Sequence, residues 1–292
     1  MKGILLAGGS GTRLYPITRV VSKQLVPVFD KPMVYYPLST LMLAGLREIL
    51  IITTPHDQAS FRALLDDGSQ WGLRLSYAVQ EKPEGIAQAL LIAEDFLARN
   101  PCMLVLGDNI FFGRGLTELL GEVAGLEQGA RIFAYRVDDP SAFGVVSLDA
   151  AGHAADIVEK PVRPQSPWVV TGLYAYDARA PELVAKLTPS ARGELEISDL
   201  NRAYLDAGAL SVTKFGRGFT WLDTGTHESL LEASTFVRAV EQRQGLKIAC
   251  VEEIAFRMGF IDAGALATLA RDLAGSRYGK YLAQIADEGP AA

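Results

Sequence analysis

Short apolar runs in the first 110 residues limit the fold more than any other feature of the chain. KGILLA (2–7), EILIIT (48–53) and CMLVLGD (102–108) are apolar on both alternating faces, and LRLSYAVQ (73–80) has similar length. A strand that is apolar throughout is covered on both sides, as in parallel sheets. Between these runs lie stretches of helical length and composition: YYPLSTLMLAGL (35–46), DQASFRALLDDG (57–68) and GIAQALLIAEDFLA (85–98). Strands alternating with helices predict an α/β fold, a doubly wound and mainly parallel sheet of Rossmann-like type.

After about residue 130 the pattern turns β-rich. RIFAYRV, FGVVSL, DIVEKP and WVVTGLYAYD have strand character, some of it antiparallel, followed by a helix over GELEISDLNRAYLDAG (193–208) and the strands LSVTKFG and FTWLDTGT. From Thr226 onward the chain is mostly helical, with Leu230, Leu231, Ala233, Phe236, Val237 and Val240 near one-face spacing. The expected division is a core over 1–225, its halves meeting near residue 130, and a helical extension over 226–292. The last residues, Gly-Pro-Ala-Ala, are expected to fray.

Composition narrows the class. Of 292 residues, 49% are hydrophobic and 21% charged, so a sizeable core can form and long disorder is not expected. A net charge of -6 argues against a general nucleic-acid binder. Cys102 and Cys250 lie far apart in apolar company, as reduced buried thiols do. His56, His153 and His227 form no cluster, and no Ser–His–Asp or Cys–His order suggests covalent catalysis. No signal peptide and no bilayer-length apolar run is expected, so a cytoplasmic setting is expected, with no membrane partner.

The first strand ends in LLAGGSGTRL (5–14), and about 27 residues separate it from the first helix. Such a long connection tends to be functional. Leu14 occupies the third glycine position of a dinucleotide fingerprint, and no Gly-Lys pair makes a Walker loop. Gly8, Gly9 and Gly11 instead let the backbone approach a ligand, and their N–H groups, with those of Ser10 and Thr12, can form an anion nest. Arg13 adds a planar, permanently charged fork for phosphate oxygens. Lys23, in SKQLVPVFDKP with Lys31, offers a second cation. The bland alternatives are a tight turn for the glycines and a solvated lysine.

LAGGSGTRLYPIT and SKQLVPVFDKPMVYYPLSTLMLAGLREILIITTP together resemble the sugar-phosphate nucleotidylyltransferases. So, in order, do WGLRLSYAVQEKPEGIAQAL, VLGDNIFFG, EKP, VTGLYAYD, RGELEISDLNRAYL, WLDTGTHESLLEAS and QGLKIACVEEIAFRMGFID. The likeness covers nearly the whole chain. Within the family it points to members that combine dTTP with glucose 1-phosphate, giving dTDP-glucose and pyrophosphate with Mg²⁺. It implies a nucleotide side built from Gly8, Gly9, Gly11, Thr12, Arg13, Lys23, Gln24, Gln80, Gly85 and Asp108. A sugar side follows from Asn109, Gly144, Glu159, Lys160, Thr171, Gly172 and Tyr174, with Arg192 as a second ligand of the sugar phosphate. Asp108 and Asp223 would share the metal, and Arg13, Lys23, Lys160, Arg192 and Asp108 would carry the catalysis.

Physical readings of single residues accompany this. Asp108 follows a parallel strand at its carboxyl end, where ligands bind in open α/β sheets, and is a hard oxygen ligand suited to Mg²⁺. Asp108 and Asp223 could instead be turn or N-cap aspartates. Gln80 has the donors and acceptor to pair with a pyrimidine edge, or could simply be solvated. Glu159–Lys160 could be a surface pair. Many relatives have Tyr where this chain has Phe143, so a hydroxyl is lost there. The resemblance further implies a homotetramer and feedback by dTDP-rhamnose at a second site, with Arg217, Glu253 and Arg257 as its residues. Uridylyl transfer from UTP, a silent nucleotide-sugar sensor and a nicotinamide oxidoreductase are the rival functions.

Overall fold

A computed structural model describes residues 1–9 and 11–289. Ser10, counted above toward the anion nest, and the terminal residues 290–292 lie outside them. The first half runs β1 (Lys2–Ala7), a two-stranded hairpin β2 (Pro27–Val28) and β3 (Lys31–Pro32), α1 (Tyr35–Leu43), β4 (Glu48–Thr53), α2 (Gln58–Leu65) and β5 (Arg74–Val79). It continues with α3 (Gln88–Ile92), α4 (Glu94–Leu97), β6 (Cys102–Leu106), β7 (Asn109–Gly113) and α5 (Leu116–Ala124). The second half holds β8 (Ala130–Arg136), β9 (Gly144–Leu148), β10 (Ala154–Glu159), β11 (Trp168–Tyr176), α6 (Ala180–Val184), α7 (Ile197–Asp206), β12 (Leu210–Lys214) and β13 (Phe219–Asp223). Helices α8 (His227–Gln244), α9 (Val251–Arg257), α10 (Ala263–Asp272) and α11 (Arg277–Glu288) end the described chain.

Strands β6, β1, β4 and β5 lie side by side in parallel, as the apolar runs predict. Alternate residues of each run feed two different cores. Leu5, Ile49, Ile51, Met103 and Val105 join Leu38 and Leu41 of α1 and Val251 of α9 on one face. Ile4, Leu6, Leu50, Ile52 and Leu104 join Leu90 of α3 and Leu200 and Tyr204 of α7 on the other. Each fully buried Leu or Ile contributes about 1.5–3 kcal/mol, which is why both faces are apolar.

Strand β11 is the branch point of the sheet. Along one edge it pairs antiparallel with β8, from Trp168 opposite Arg136 to Tyr176 opposite Ala130, with a break in register between Val170 and Tyr174. It also pairs with β6 through Leu173–Tyr176 and with β9 at Val169. The sheet therefore splits beyond the carboxyl end of β6, and a cleft opens in the split.

Several predicted elements shift in extent. The connection after β1 is three single 3-10 turns (12–14, 17–19 and 23–25) and the β2–β3 hairpin. The helix expected over 85–98 starts only at Gln88, because Gly85 holds φ 109°, and divides at Ala93 into α3 and α4. The helix expected over 193–208 starts at Ile197, since Glu196 is extended as its N-cap residue. Strand β7, which the sequence reading passed over, pairs with β13 as a separate antiparallel ribbon. Helix α8 opens on a reciprocal Thr226–Ser229 capping box and closes on Gly245 at φ 73°.

Cys102 and Cys250 are buried free thiols. Among the described residues no helix is long and apolar enough to cross a membrane.

Candidate active site

The cleft has a volume of about 850 Å³. Gly8 and Gly9 after β1, Gln80 after β5 and Asp108 after β6 meet at its floor, all at carboxyl ends of parallel strands. Arg13, Gln24, Gly85, Asn109, Gly144, Glu159, Lys160, Gly172, Tyr174, Arg192 and Asp223 complete the predicted residues on its walls. Of the others, Lys23 lines a smaller adjoining cavity and reaches Asp108 from below. Gly11, at φ 56°, would meet Thr18 and Lys23 side chains if it carried a Cβ. Thr12 is exposed at the start of the first 3-10 turn. Thr171 is fully buried behind the wall, its hydroxyl without a hydrogen-bond partner among the described residues.

The two aspartates are brought together by the β7–β13 ribbon. Asp223 stands opposite Asn109 in its register, next to Asp108. Thr224 fixes the junction, donating from its backbone N–H and its hydroxyl to the Asp108 carbonyl at 3.2 and 2.8 Å. The Lys23 ammonium lies 2.5 Å from Asp108, and the Asn109 amide donates to the other carboxylate oxygen at 2.8 Å. Burial pushes the Asp108 carboxyl up, but the Lys23 charge and these hydrogen bonds outweigh it and hold it below the usual range. Among the described residues Asp223 has no such hydrogen-bond or ion-pair partner. Burial and then the charge of Asp108 push it up to about 6, against Lys23, Arg13 and Lys160. A Cβ on Gly225 would lie 3.3 Å from both Arg13 terminal nitrogens and from an Asp223 oxygen, so fork and carboxylate face one small space.

Burial and the neighbouring Asp108 charge thus disfavour the ionised form of Asp223, a condition a bound dication relieves. Among the described residues no group of three or more His, Cys, Asp or Glu is placed to hold a metal. Two hard oxygens with room for phosphate and water suit Mg²⁺ better than ions that demand a full protein cage.

On the base side, Gln80 is 5% exposed. Its amide donates to the Gly85 carbonyl at 3.3 Å and to Gln88 Oε1 at 2.7 Å. The Gln80 amide sits directly against Gly8, where a Cβ would lie 2.4 Å from Gln80 Oε1 and the amide would have to shift. Gln24 donates to the Gly8 carbonyl at 3.3 Å. The loop then crosses the cleft. Leu195 N–H donates to the Glu84 carbonyl at 2.7 Å, and Ala87 N–H to the Leu195 carbonyl at 3.2 Å.

On the opposite wall, Arg192 makes a fork with Glu196, with its Nη2 2.9 and 2.8 Å from the two carboxylate oxygens. Glu159 accepts a short hydrogen bond from the Ser198 hydroxyl. Lys160 holds φ 44°, a strained setting of the kind that collects at functional sites, while its N–H donates to the Phe143 carbonyl at 3.0 Å. Phe143 packs edge-to-face on Trp221, ring centres 5.3 Å apart, so the ring that replaces tyrosine is a packing element of the wall. Asn109 Oδ1 accepts from Gly172 N–H at 3.1 Å and Trp221 Nε1 at 2.5 Å.

Sequence reasoning missed Gln88, Glu196, Ser198 and Trp221. The Arg192–Glu196 spacing of four was a visible pairing signal. The other three carried none. Of the residues assigned to a second site, Arg217 is exposed in the turn between β12 and β13. Glu253 and Arg257 pair on α9 at 2.8 Å, and Tyr281 donates to Glu253 at 2.5 Å.

Gly8 and Gly9, a carboxylate pair and the cations Arg13, Lys160 and Arg192 gather on one cleft at the strand ends of a parallel sheet, a set suited to phosphoryl groups. The chain belongs to the nucleotidyl transferase family: residues 2–240 match the model of the family described as Nucleotidyl transferase. It is 59% identical over 288 residues to a glucose-1-phosphate thymidylyltransferase of Xanthomonas campestris pv. campestris (strain B100), covering 99% of this chain and 98% of that one. A protein of the same name from Neisseria meningitidis serogroup A is 60% identical over 285 residues, with 98% and 99% covered. Among solved structures, a Bacillus anthracis protein assigned as a glucose-1-phosphate thymidylyltransferase, crystallised with sucrose, superposes with a TM-score of 0.76 at 41% identity. It covers 82% of this chain and 95% of that one.

Proposed function

We propose that the protein is a glucose-1-phosphate thymidylyltransferase, which transfers the dTMP moiety of dTTP to α-D-glucose 1-phosphate and releases pyrophosphate. The observation that carries this reading is that one cleft is lined by Arg13, Lys160 and Arg192 together with Asp108 and Asp223. The identity to proteins of that name over nearly the full chain supports it.

The reaction is one in-line displacement. A phosphate oxygen of the sugar ester attacks the α-phosphorus, its new P–O bond forming as the bond to pyrophosphate breaks. The nucleophile is already an anion, so the work is to bring two anions together and stabilise the leaving charge. Arg13 holds the departing phosphates, beside the nest of Gly8, Gly9, Gly11 and Thr12. Lys23 orients Asp108 and adds charge near the same phosphates. Gln80, Gln24 and the Gly85 backbone hold the base. Lys160 and Arg192 orient the attacking phosphate, and Glu159, Gly144, Gly172, Tyr174 and Asn109 enclose the sugar, with Thr171 packed behind them. Asp108 and Asp223 would hold Mg²⁺, which when bound neutralises triphosphate charge.

In this reading residues 1–225 are the catalytic core, with a nucleotide half to about 130 and a sugar half to 225. The helices of 226–292 support a homotetramer and a second site for dTDP-rhamnose near Arg217, Glu253 and Arg257. The setting is the cytoplasm, at the first step toward deoxysugars.

The test is pyrophosphate release across four nucleoside triphosphates and several sugar 1-phosphates. dTTP with glucose 1-phosphate should give the highest kcat/KM, and chelation should abolish turnover until Mg²⁺ is restored. Release from no pair at all would overturn the assignment, and preference for UTP would make it a uridylyltransferase. Purely competitive inhibition by dTDP-rhamnose against dTTP would remove the second site.

A further inference from the structure

Behind the nucleotide loop lies a closed cluster of four charges that the chemistry above does not use. Lys31, 3% exposed, sits on β3 and contacts Asp30 at 2.6 Å and Glu241 of α8 at 3.1 Å. Lys247, just past α8, contacts Glu241 at 3.3 Å and pairs closely with Asp30. Two cations and two carboxylates alternate around a neutral ring. Glu241 also accepts the Ile248 N–H at 3.0 Å, Lys31 lies over the Tyr36 ring, and Lys247 lies over Tyr278 and Tyr281.

The cluster is an inefficient glue. An apolar seam already joins these parts, through Val28, Met33 and Tyr36 on one side and Ala233, Val237 and Ile248 on the other. Buried ion pairs seldom stabilise more than apolar side chains of equal volume, because both charges lose their water. What paired charges add to an apolar contact is register: one alignment satisfies all four groups, and a slipped one strands a charge.

That register reaches the catalytic lysine through backbone alone. Lys31 ends the turn of the β2–β3 hairpin. Immediately after it, Met33 N–H donates to the Val26 carbonyl at 3.0 Å and Val34 N–H to the Gln24 carbonyl at 2.8 Å. Val26 N–H closes the turn on the Lys23 carbonyl at 3.1 Å. Lys23 and Gln24 then reach Asp108 and Gly8.

We propose that the Asp30–Lys31–Glu241–Lys247 cluster is a positioning device by which the C-terminal helices set the hairpin, and through it Lys23 and Gln24, for the nucleotide. The proposal rests on the functional reading above for the ligand. It deepens that reading by assigning helix α8 a part in triphosphate binding and none in sugar binding.

The decisive variant is Lys31→Met with Glu241→Gln, which leaves the Asp30–Lys247 pair neutral and keeps an oxygen for the Ile248 N–H. Its melting temperature should stay within a few degrees of the wild type. Its KM for dTTP should rise about tenfold while KM for glucose 1-phosphate stays within about twofold. A wild-type KM for dTTP, or equal rises for both substrates, would overturn the proposal. Should the double variant fail to fold, Lys31→Arg keeps the charge and changes its shape. At least a threefold rise in the dTTP KM alone is then expected, and unchanged kinetics would count against the cluster. If the wild-type protein turns over no sugar phosphate, the assigned reaction fails separately. The cluster is then scored by calorimetric Kd for dTTP with Mg²⁺, tenfold weaker in the double variant if it positions the loop and unchanged if it does not.

Discussion

Gly85→Ala probes a crossing of backbone from the base side of the cleft to the sugar-phosphate side. Gly85 holds φ 109°, and a Cβ there would lie 2.2 Å from the Leu195 carbonyl oxygen and 2.6 Å from the Leu195 nitrogen. Ordinary contact begins near 3.4 Å, so the two loops must part by about 1.2 Å. Both bridging hydrogen bonds, now 2.7 and 3.2 Å, would then exceed hydrogen-bond range. Holding alanine at such a φ costs about 1–3 kcal/mol, and each lost bond about 0.5–1.5 kcal/mol. A combined cost of about 2–6 kcal/mol lowers the aligned population by roughly 30-fold or more. Because Arg192 and Glu196 flank Leu195, kcat/KM for both substrates should fall at least about 30-fold in steady-state pyrophosphate release. Gly45→Ala is the control: its φ is 79° but a Cβ would meet nothing within 4 Å, so it carries strain without a bridge. Gly45→Ala should lose some stability and keep wild-type kinetics. If Gly85→Ala retains kcat/KM within about threefold, the crossing does not align the two walls.

Arg13→Ala should lower kcat more than about tenfold, since one lost stabilising donor typically costs a few kcal/mol; wild-type turnover would remove Arg13 from the reaction. Lys160→Ala should act mainly on glucose 1-phosphate, raising its KM with the dTTP KM little changed, and unaltered sugar kinetics would displace it from that wall. Asn109→Ala would leave the Gly172 N–H and the Trp221 indole N–H buried without their acceptor, at about 1–3 kcal/mol each. At 2–4 °C per kcal/mol its melting temperature should drop by roughly 4 °C or more, readable by calorimetry; no drop would mean those donors find another acceptor.

The parallel half was legible because β1, β4 and β6 are covered on both faces, and that burial writes itself as unbroken apolar runs. That Gly8, Gly9 and Arg13 line the cleft was legible for another reason: glycines and a permanent cation stand together in a long loop at the end of a strand. The Asp108–Asp223 approach was not, because it depends on β7 meeting β13 across more than a hundred residues, and NIFFG is too short and mixed to announce its partner. Lys23 carries no local sign that it is buried, since its burial follows from the charge of Asp108 opposite. The spacing of four between Arg192 and Glu196 signals their pairing, but the extended backbone of Glu196, inside a segment of helical composition, depends on tertiary contacts. Chemistry was visible in residue types, and proximity was visible only in the fold.

Strand β11 runs without interruption beneath both halves, bonded to β6 near one end and to β9 near the other. The cleft is therefore a tear within a continuous fabric, not a gap between two bodies. Swinging the halves apart would unzip main-chain bonds along β11, so admission and discharge fall to the surface loops around the rim, and the floor stays fixed through each turnover.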